Sequence, residues 1–343
     1  MKIALCSSFV PFVRGGARNI VDWLAIALRD AGHQVETIYI PEVDEPDLLI
    51  DQMFAFRWLD LSAADRVICF RPQSHLIRHP NKIVWFIHHI RLFYDLWDTP
   101  YRTFPDDSRH RGIRETLHAL DREALLEAKA VFSNSSIVKK RLKAFNDIDC
   151  EVLYPPVWAP ERFYCADFND EIVSVCRLEH HKRPHLLIDA MSHTQSNVKL
   201  RLAGQGSASY VRKLKEQIAK LGLSDRVLLE ERWISEAEKV GYLANCLASA
   251  YLPLDEDSYG YPTIEAAHAA KPTLTVTDAG GVGEFVIDGI NGVIAEPSPQ
   301  SIAAEMDRLF VQRATTSQMG INARDRIAGL DIRWSTVLER LLA

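Results

Sequence analysis

Two segments carry side chains whose types and spacing suit chemistry on an anion. In Asp257-Ser258-Tyr259-Gly260-Tyr261-Pro262-Thr263-Ile264-Glu265, two carboxylates stand eight positions apart. Gly260 permits close approach of the backbone to a ligand. Pro262 suits the first turn of a helix, and a helix beginning there offers unpaired N–H groups to an anion. The plainer reading is a strand-to-helix loop in which Glu265 complements the helix dipole, and the segment alone does not separate the two. In Arg177-Leu178-Glu179-His180-His181-Lys182, the cations Arg177 and Lys182 lie five apart across a turn. Both can converge on one group, and two positive charges match a diphosphate. A solvated basic turn is the alternative.

Four further segments are weaker. Gly15-Gly16 precedes a helix and allows backbone to approach a phosphate or sugar. The pair is not GxGxxG, so a dinucleotide fingerprint is not supported. His88-His89 follows a strand, where catalytic residues of open α/β sheets sit. Adjacent side chains point in different directions, so the two histidines do not share one role and make a poor metal pair. Thr277-Asp278-Ala279-Gly280-Gly281-Val282-Gly283-Glu284 is a glycine-rich turn in which Glu284 could take a hydroxyl or cap a helix. Leu202-Ala203-Gly204-Gln205-Gly206 is a similar turn and uninformative alone. Lys139-Lys140-Arg141-Leu142-Lys143 could touch acidic lipid, but reads better as a solvated helix face.

The elements that must hold these residues alternate. Lys2 to Ser7 is a short apolar strand, 17–31 is a helix with Ile20, Leu24, Ala27 and Leu28 on one face, and Val35 to Ile40 is a second strand. Such a β-loop-α-β unit implies a parallel sheet with a right-handed crossover. Strands follow at 66–70, 83–87 and 130–133, with a helix over 117–129. The aromatic and proline-containing stretch 94–114 breaks the pattern and reads as a long loop near a functional surface. Tyr154-Pro155-Pro156-Val157 marks a boundary. A second series then runs through strands at 171–176, 199–203, 227–230, 248–252, 273–277 and 292–294, with helices at 184–191, 208–221, 236–245, 263–270, 298–311 and 331–342. The expected fold is α/β with two doubly wound domains, 1–157 and 158–325. The tail, 326–343, is a helix that could pack back on the first domain.

Composition sets bounds. The chain has 343 residues, 47% of them hydrophobic and 25% charged, enough for two cores without disulfide or metal. A net charge of −6 gives no argument for nucleic acid as a partner. The six cysteines lack any CxxC pair or zinc spacing and read as buried free thiols of a reducing compartment. The first residues are too short an apolar run for a signal peptide, and nothing approaches a membrane span. The cytoplasm is the expected location, with contact at the inner face of the membrane left open.

In order along nearly the whole chain, these segments resemble the retaining GT-B glycosyltransferases of family 4, the glycosyl transferases group 1. The shared set is the early glycine pair, a histidine after a mid-domain strand, an Arg-Leu-x3-Lys turn, an acidic-x7-Glu loop and Gly-Gly-x2-Glu. Phe9-Val10-Pro11 and the Trp334 helix are also similar. The resemblance implies two Rossmann-like domains facing across a cleft. Gly15 and Gly16 would line the donor phosphate and sugar, and Arg177 and Lys182 would neutralise the departing diphosphate. Glu265 would hold the ribose. Asp257, with the backbone of Ser258, Tyr259, Gly260, Tyr261, Pro262 and Thr263, would face the transferred sugar, and His88 or His89 would sit beside it. Arg232 and Trp233 would lie near the base. Tyr94, Trp97, Tyr101 and Arg102 would meet the acceptor.

The sequence departs from the family pattern at Asp257, where the family has Glu, and at Ser258, where it has Gly. Both bear on the sugar contact. The implied activity is metal-independent transfer of a hexose-type sugar from a UDP or GDP sugar to a glycan, lipid-linked or small-molecule acceptor, with retention and without a cofactor. A GT-B sugar-nucleotide epimerase and an inactive sugar-nucleotide-binding scaffold are the alternatives.

Overall fold

The computed structural model describes residues 1–12, 15–42, 45–256 and 258–343. Asp257 therefore lies outside the described residues. The contacts divide the chain into two units, Met1–Pro156 with Ile332–Ala343, and Val157–Asp331.

The first unit runs β1 (Lys2–Phe9), α1 (Gly16–Asp30), β2 (Gln34–Pro41), α2 (Leu49–Arg57), β3 (Arg66–Cys69), β4 (Lys82–Phe86), α3 (Ser108–Leu126), β5 (Ala130–Ser133), α4 (Ser136–Asn146) and β6 (Glu151–Val152). Its sheet has the order β2-β1-β3-β4-β5-β6 and is parallel throughout. Every residue of β3 and β4 is buried, as required of strands covered on both faces. α1 turns Ile20, Val21, Leu24 and Leu28 inward.

Helix α3 starts well before the expected 117. Its first turns are polar, so apolar periodicity does not mark them; the start is set by Asp107, whose carboxylate accepts the His110 N–H at 2.9 Å. Helix α2 has too little periodicity to be read from sequence.

The stretch 94–114 corrects one expectation. Tyr94 and Trp97 do not present an acceptor surface; both are buried in the core of this unit. The Tyr94 hydroxyl donates to Asp121 at 2.6 Å. The guanidinium groups of Arg102 and Arg114 lie over the Trp97 ring at 4.9 and 4.7 Å. Tyr101 is exposed. Aromatic content signals a core here: the Tyr94 hydroxyl has its carboxylate partner and the Trp97 ring is covered by two guanidinium groups.

The second unit runs β7 (Glu171–Val175), α5 (Pro184–Met191), β8 (Lys199–Ala203), α6 (Ala208–Lys220), β9 (Val227–Glu230), α7 (Glu236–Asn245), β10 (Ala248–Ala250), α8 (Tyr261–His268), β11 (Thr273–Val276), α9 (Val282–Phe285), β12 (Gly292–Ala295), α10 (Pro299–Val311) and α11 (Arg313–Gly329). The sheet order is β12-β11-β10-β7-β8-β9, again parallel. Ser235 starts α7 with a full capping box to Glu238. α11 is absent from the sequence reading because it is mostly polar. It packs closely all the same: a Cβ on Gly320 would lie 2.0 Å from the Ala270 carbonyl oxygen.

The last helix, α12 (Trp334–Leu342), belongs to the first unit. The buried Arg66 of β3 donates to the carbonyls of Leu341 at 2.5 Å and Ala343 at 3.1 Å. No described helix is long and apolar enough to cross a membrane.

Candidate functional site

In the second unit the connections from β7 run to β8 and β9, and those from β10 run the other way to β11 and β12. Loops leaving two adjacent strands in opposite senses open a crevice at the carboxyl edge of the sheet, the usual ligand position in open α/β folds. The loop after β7 holds Arg177 and Lys182, and the loop after β10 leads into α8. The two are tied by the Leu254 N–H, which donates to the His181 carbonyl at 2.8 Å.

Lys182 is not free in this crevice. Its ammonium donates to the Tyr251 hydroxyl at 2.8 Å and pairs with the Glu256 carboxylate. Tyr251 in turn donates to the same Glu256 oxygen at 2.6 Å. Burial pushes the Glu256 carboxyl up, but the Lys182 charge and hydrogen bond, with the Tyr251 hydroxyl, outweigh it and hold the group below its ordinary value. Arg177 has a different partner. It is 48% exposed and pairs with Glu179 at 2.7 Å, and Glu179 also takes His181 at 3.3 Å.

The neighbouring Arg183 was passed over in the sequence and is the more deeply set cation. It forks onto both oxygens of Asp278 at 2.8 and 2.7 Å and donates to the carbonyls of Leu252 and Pro253 at 2.7 Å each. The clamp fastens the loop after β7 to the ends of β10 and β11.

The glycines serve the same knitting. A Cβ on Gly280 would come within 2.5 Å of the Glu256 backbone, and one on Gly281 within 2.7 Å of the Ser258 backbone. The Gly281 N–H donates to the Glu256 carbonyl at 2.8 Å. Gly204 and Gly206 likewise seat the loop after β8 against Cys176 and Leu178. Gly260 has φ of +70°, and a Cβ there would lie 2.3 Å from the Tyr251 ring. Its first duty is to seat Tyr251.

Gly260 caps α8, with Tyr261 and Pro262 opening the helix and Thr263 fully buried behind them. Ser258 accepts the Gly260 N–H at 3.3 Å, and Tyr259 is buried against Phe285. Glu265, only 4% exposed, pairs with Lys239 of α7 at 2.5 Å, and Lys239 also takes Glu236 at 2.9 Å. Burial works against the Lys239 charge, and the two carboxylates more than restore it, so its pKa is raised. Arg232 is bound to Glu230 and Glu238, each at 2.7 Å, while Trp233 is exposed. Glu284 lies in α9, and its carbonyl accepts Arg326 at 2.8 Å.

The first unit has its own reversal between β1 and β3. Gly15 is the extended N-cap of α1 and Gly16 its first residue; a Cβ on Gly15 would meet nothing. Along the sheet edge stand Glu42 past β2, Ser8 in β1, Arg71 past β3 and His88 past β4. Arg71 pairs with Glu42 at 2.7 Å, and the Ser8 hydroxyl donates to Glu42 at 3.3 Å. His88 donates from Nδ1 to the His89 carbonyl at 2.7 Å. Burial, then the Arg71 charge, lowers its pKa to about 4.

His89 points the other way, into the core. It packs among Phe86, Tyr94 and Phe145 and pairs through Nε2 with Asn146 at 2.8 Å. Of the two histidines only His88 stands at the sheet edge. In the basic helix run Lys139, Lys140 and Lys143 are exposed, and Lys143 takes Asp147 and Asp149, whereas Arg141 is largely covered and takes Asp95.

Sequence reasoning missed Glu256, Tyr251, Arg183, Asp278 and Lys239. The consecutive acids Asp255-Glu256-Asp257 were a visible signal for the first. Nothing local marked Lys239, which is ordered by a partner on another helix.

Two six-stranded parallel sheets, each with its own reversal of strand order, define a GT-B fold. The whole chain superposes on a solved Anabaena protein, Alr3699/HepE in complex with UDP and glucose, with a TM-score of 0.72 at 18% identity, covering 100% of this chain and 98% of that one. It also superposes on the sucrose-phosphate synthase of Thermosynechococcus elongatus with a TM-score of 0.78 at 16% identity, covering 98% and 97%. Residues 167–326, the body of the second unit, match the family described as glycosyl transferases group 1. A relative in sequence is the alpha-1,3/1,6-mannosyltransferase ALG2 of Dictyostelium discoideum, 27% identical over 173 residues. That match covers 45% of this chain and 40% of the relative, so the chain spans less than half the length of that enzyme.

Proposed function

We propose that the protein transfers a hexose-type sugar from a nucleotide diphosphate sugar, of the UDP or GDP kind, to a glycan, lipid-linked or small-molecule acceptor. The observation that carries this reading is the crevice of the second unit. There Lys182 lies on the loop after β7, and the loop after β10 leads into the start of α8 and its buried Glu265, within the segment that matches the group 1 family. The UDP and glucose held by the HepE structure and the mannosyltransferase name of the relative agree with a sugar-nucleotide donor.

Breaking the bond between a sugar and a diphosphate leaves negative charge on the departing oxygen and positive charge on the ring. In this reading Lys182, Arg177 and the N–H groups opening α8 meet the negative charge as preorganised electrostatics. Glu265 accepts the ribose hydroxyls. His88, neutral at pH 7 and with Nδ1 committed to a carbonyl, offers Nε2 as an acceptor to a sugar hydroxyl. Side-chain cations then do the work that a metal performs in other transferases, and the departing phosphate takes the acceptor's proton with retention at the sugar carbon.

A thermal-shift screen against UDP, GDP and ADP sugars tests the donor, since a ligand that binds only the folded state raises its apparent stability. The expected result is stabilisation by one of them, followed by donor turnover that falls steeply in Lys182→Ala and Arg177→Ala. Near-wild-type turnover in both variants overturns the reading. Release of free sugar and nucleotide without any acceptor requirement would transfer it to an epimerase-type activity.

A further inference from the structure

The cation best placed for a diphosphate is already occupied. Lys182 pairs with Glu256, and Tyr251 donates to the Glu256 oxygen that Lys182 engages. The three are mutually closed, since Lys182 also donates to the Tyr251 hydroxyl at 2.8 Å. The arrangement is built rather than incidental. Tyr251 is fixed by Gly260, whose missing Cβ leaves room for the ring. The Glu256 backbone is paired on both sides with the turn after β11, donating to the Ala279 carbonyl at 3.2 Å and accepting from the Gly281 N–H at 2.8 Å. The carboxylate therefore cannot drift from the crevice with its backbone; only its side chain can swing. Its side chain is 21% exposed and that of Lys182 12%, so solvent screens the pair only in part.

A carboxylate beside a cation that must receive a diphosphate is a competitor for that cation. We propose that Glu256 is a displaceable counter-ion: it holds Lys182 oriented on Tyr251 and swings away when a diphosphate takes its place. The inference rests on the sugar-nucleotide reading of the crevice and adds a positioning residue to it. Glu256 sets donor affinity by competition and keeps weaker anions off Lys182, because a monoanion gains less than a diphosphate from the exchange. The ammonium passes from one anion to another without losing its proton, so no covalent step is involved.

Two measurements test it. The first uses no ligand: the acylation rate of Lys182, read by peptide mass spectrometry, is expected to rise several-fold in Glu256→Gln, because the amide still accepts from Tyr251 but no longer binds the ammonium as an ion pair. An unchanged rate overturns the inference whatever the crevice binds. The second is calorimetry with UDP and inorganic pyrophosphate on the wild type, Glu256→Gln, Lys182→Gln and the double variant, each checked for an unchanged unfolding curve.

Both ligands are expected to bind Glu256→Gln about fivefold more tightly, the scale of a partly screened ion pair. In the Lys182→Gln background Glu256→Gln is expected to change nothing. An equal gain in both backgrounds marks general repulsion and overturns the counter-ion role, as does weaker binding in Glu256→Gln. Binding of neither ligand to any of the four proteins removes the sugar-nucleotide reading, and the counter-ion role falls with it.

Discussion

Glu265 and Lys239 meet at 2.5 Å between the start of α8 and the middle of α7, and the carboxylate is 4% exposed. A buried carboxylate keeps its charge at low cost only beside a cation. Lys239→Met leaves Glu265 without its Lys239 partner, and the expected loss is about 3 kcal/mol of unfolding free energy. Urea titration checks it. The double variant Lys239→Met, Glu265→Gln is expected to recover most of that loss; an equally unstable double variant shows that Lys239 acts by packing alone.

Gly260→Ala places a methyl group into the Tyr251 ring at a φ of +70°. Strain of this kind costs about 1–3 kcal/mol. The expected outcome is a lower melting temperature together with loosened donor binding, because the displaced ring carries the hydroxyl that Lys182 and Glu256 share. Gly15→Ala, where a Cβ meets nothing and the backbone is extended, is expected to leave the melting temperature unchanged.

Acid acts in two windows. His88, His89 and His268 are lowered from 6.5 to about 4, chiefly by burial. Unfolding lets each take a proton at its ordinary value, so their contribution is complete above 6.5 and is lost as pH falls toward 4. Glu127 is lowered from 4.5 to about 2, first by its hydrogen bond to Arg57 and then by Lys82. Its contribution is present above 4.5 and is lost as pH falls toward 2. Denaturation curves across pH are expected to show a first decline below 6.5 and a second below 4.5, the second flattened in Glu127→Gln. A single transition near 4 runs against the histidine assignment.

His88 is expected to be the Nδ1–H tautomer at neutral pH, because its Nδ1 faces the His89 carbonyl at 2.7 Å and a carbonyl only accepts. Nitrogen-15 NMR of the imidazole nitrogens reads this directly, with Nε2 at the shift of an unprotonated ring nitrogen. The same spectra followed to pH 5 are expected to show little change for this ring. A proton on Nε2 at pH 7 removes His88 as a hydrogen-bond acceptor for a sugar.

The alternation of strand and helix was legible because buried parallel strands read as short apolar runs, as at β3 and β4. The site was legible as loop positions and less so as contacts. Arg177 and Lys182 look equivalent in sequence, yet one turns to Glu179 in solvent and the other is held by Glu256 across the crevice. The glycines of 277–284 read as a tight turn, and in the structure Gly280 and Gly281 make room for a neighbouring loop. For Lys182 and the two glycines the deciding partner lies far off along the chain. His88 and His89 separate for the same reason: the environment that takes one of them into the core is built by Asn146 and Phe145 of α4. Helix α11 stayed hidden because its buried face, Thr316, Met319, Gly320, Ala323 and Ile327, holds only two large apolar side chains among small and polar ones.

The clasp of Arg66 on the last turn of α12 makes the first unit discontinuous in sequence, with the second inserted into it between Pro156 and Ile332. During synthesis the second unit can therefore be finished while the first still lacks its closing helix and holds a guanidinium with no carbonyls to receive it. A fragment ending at 156 inherits that defect permanently, whereas 157–331 is contiguous and loses none of its own strands or helices when cut out. The two halves of the molecule differ in autonomy although their sheets are alike.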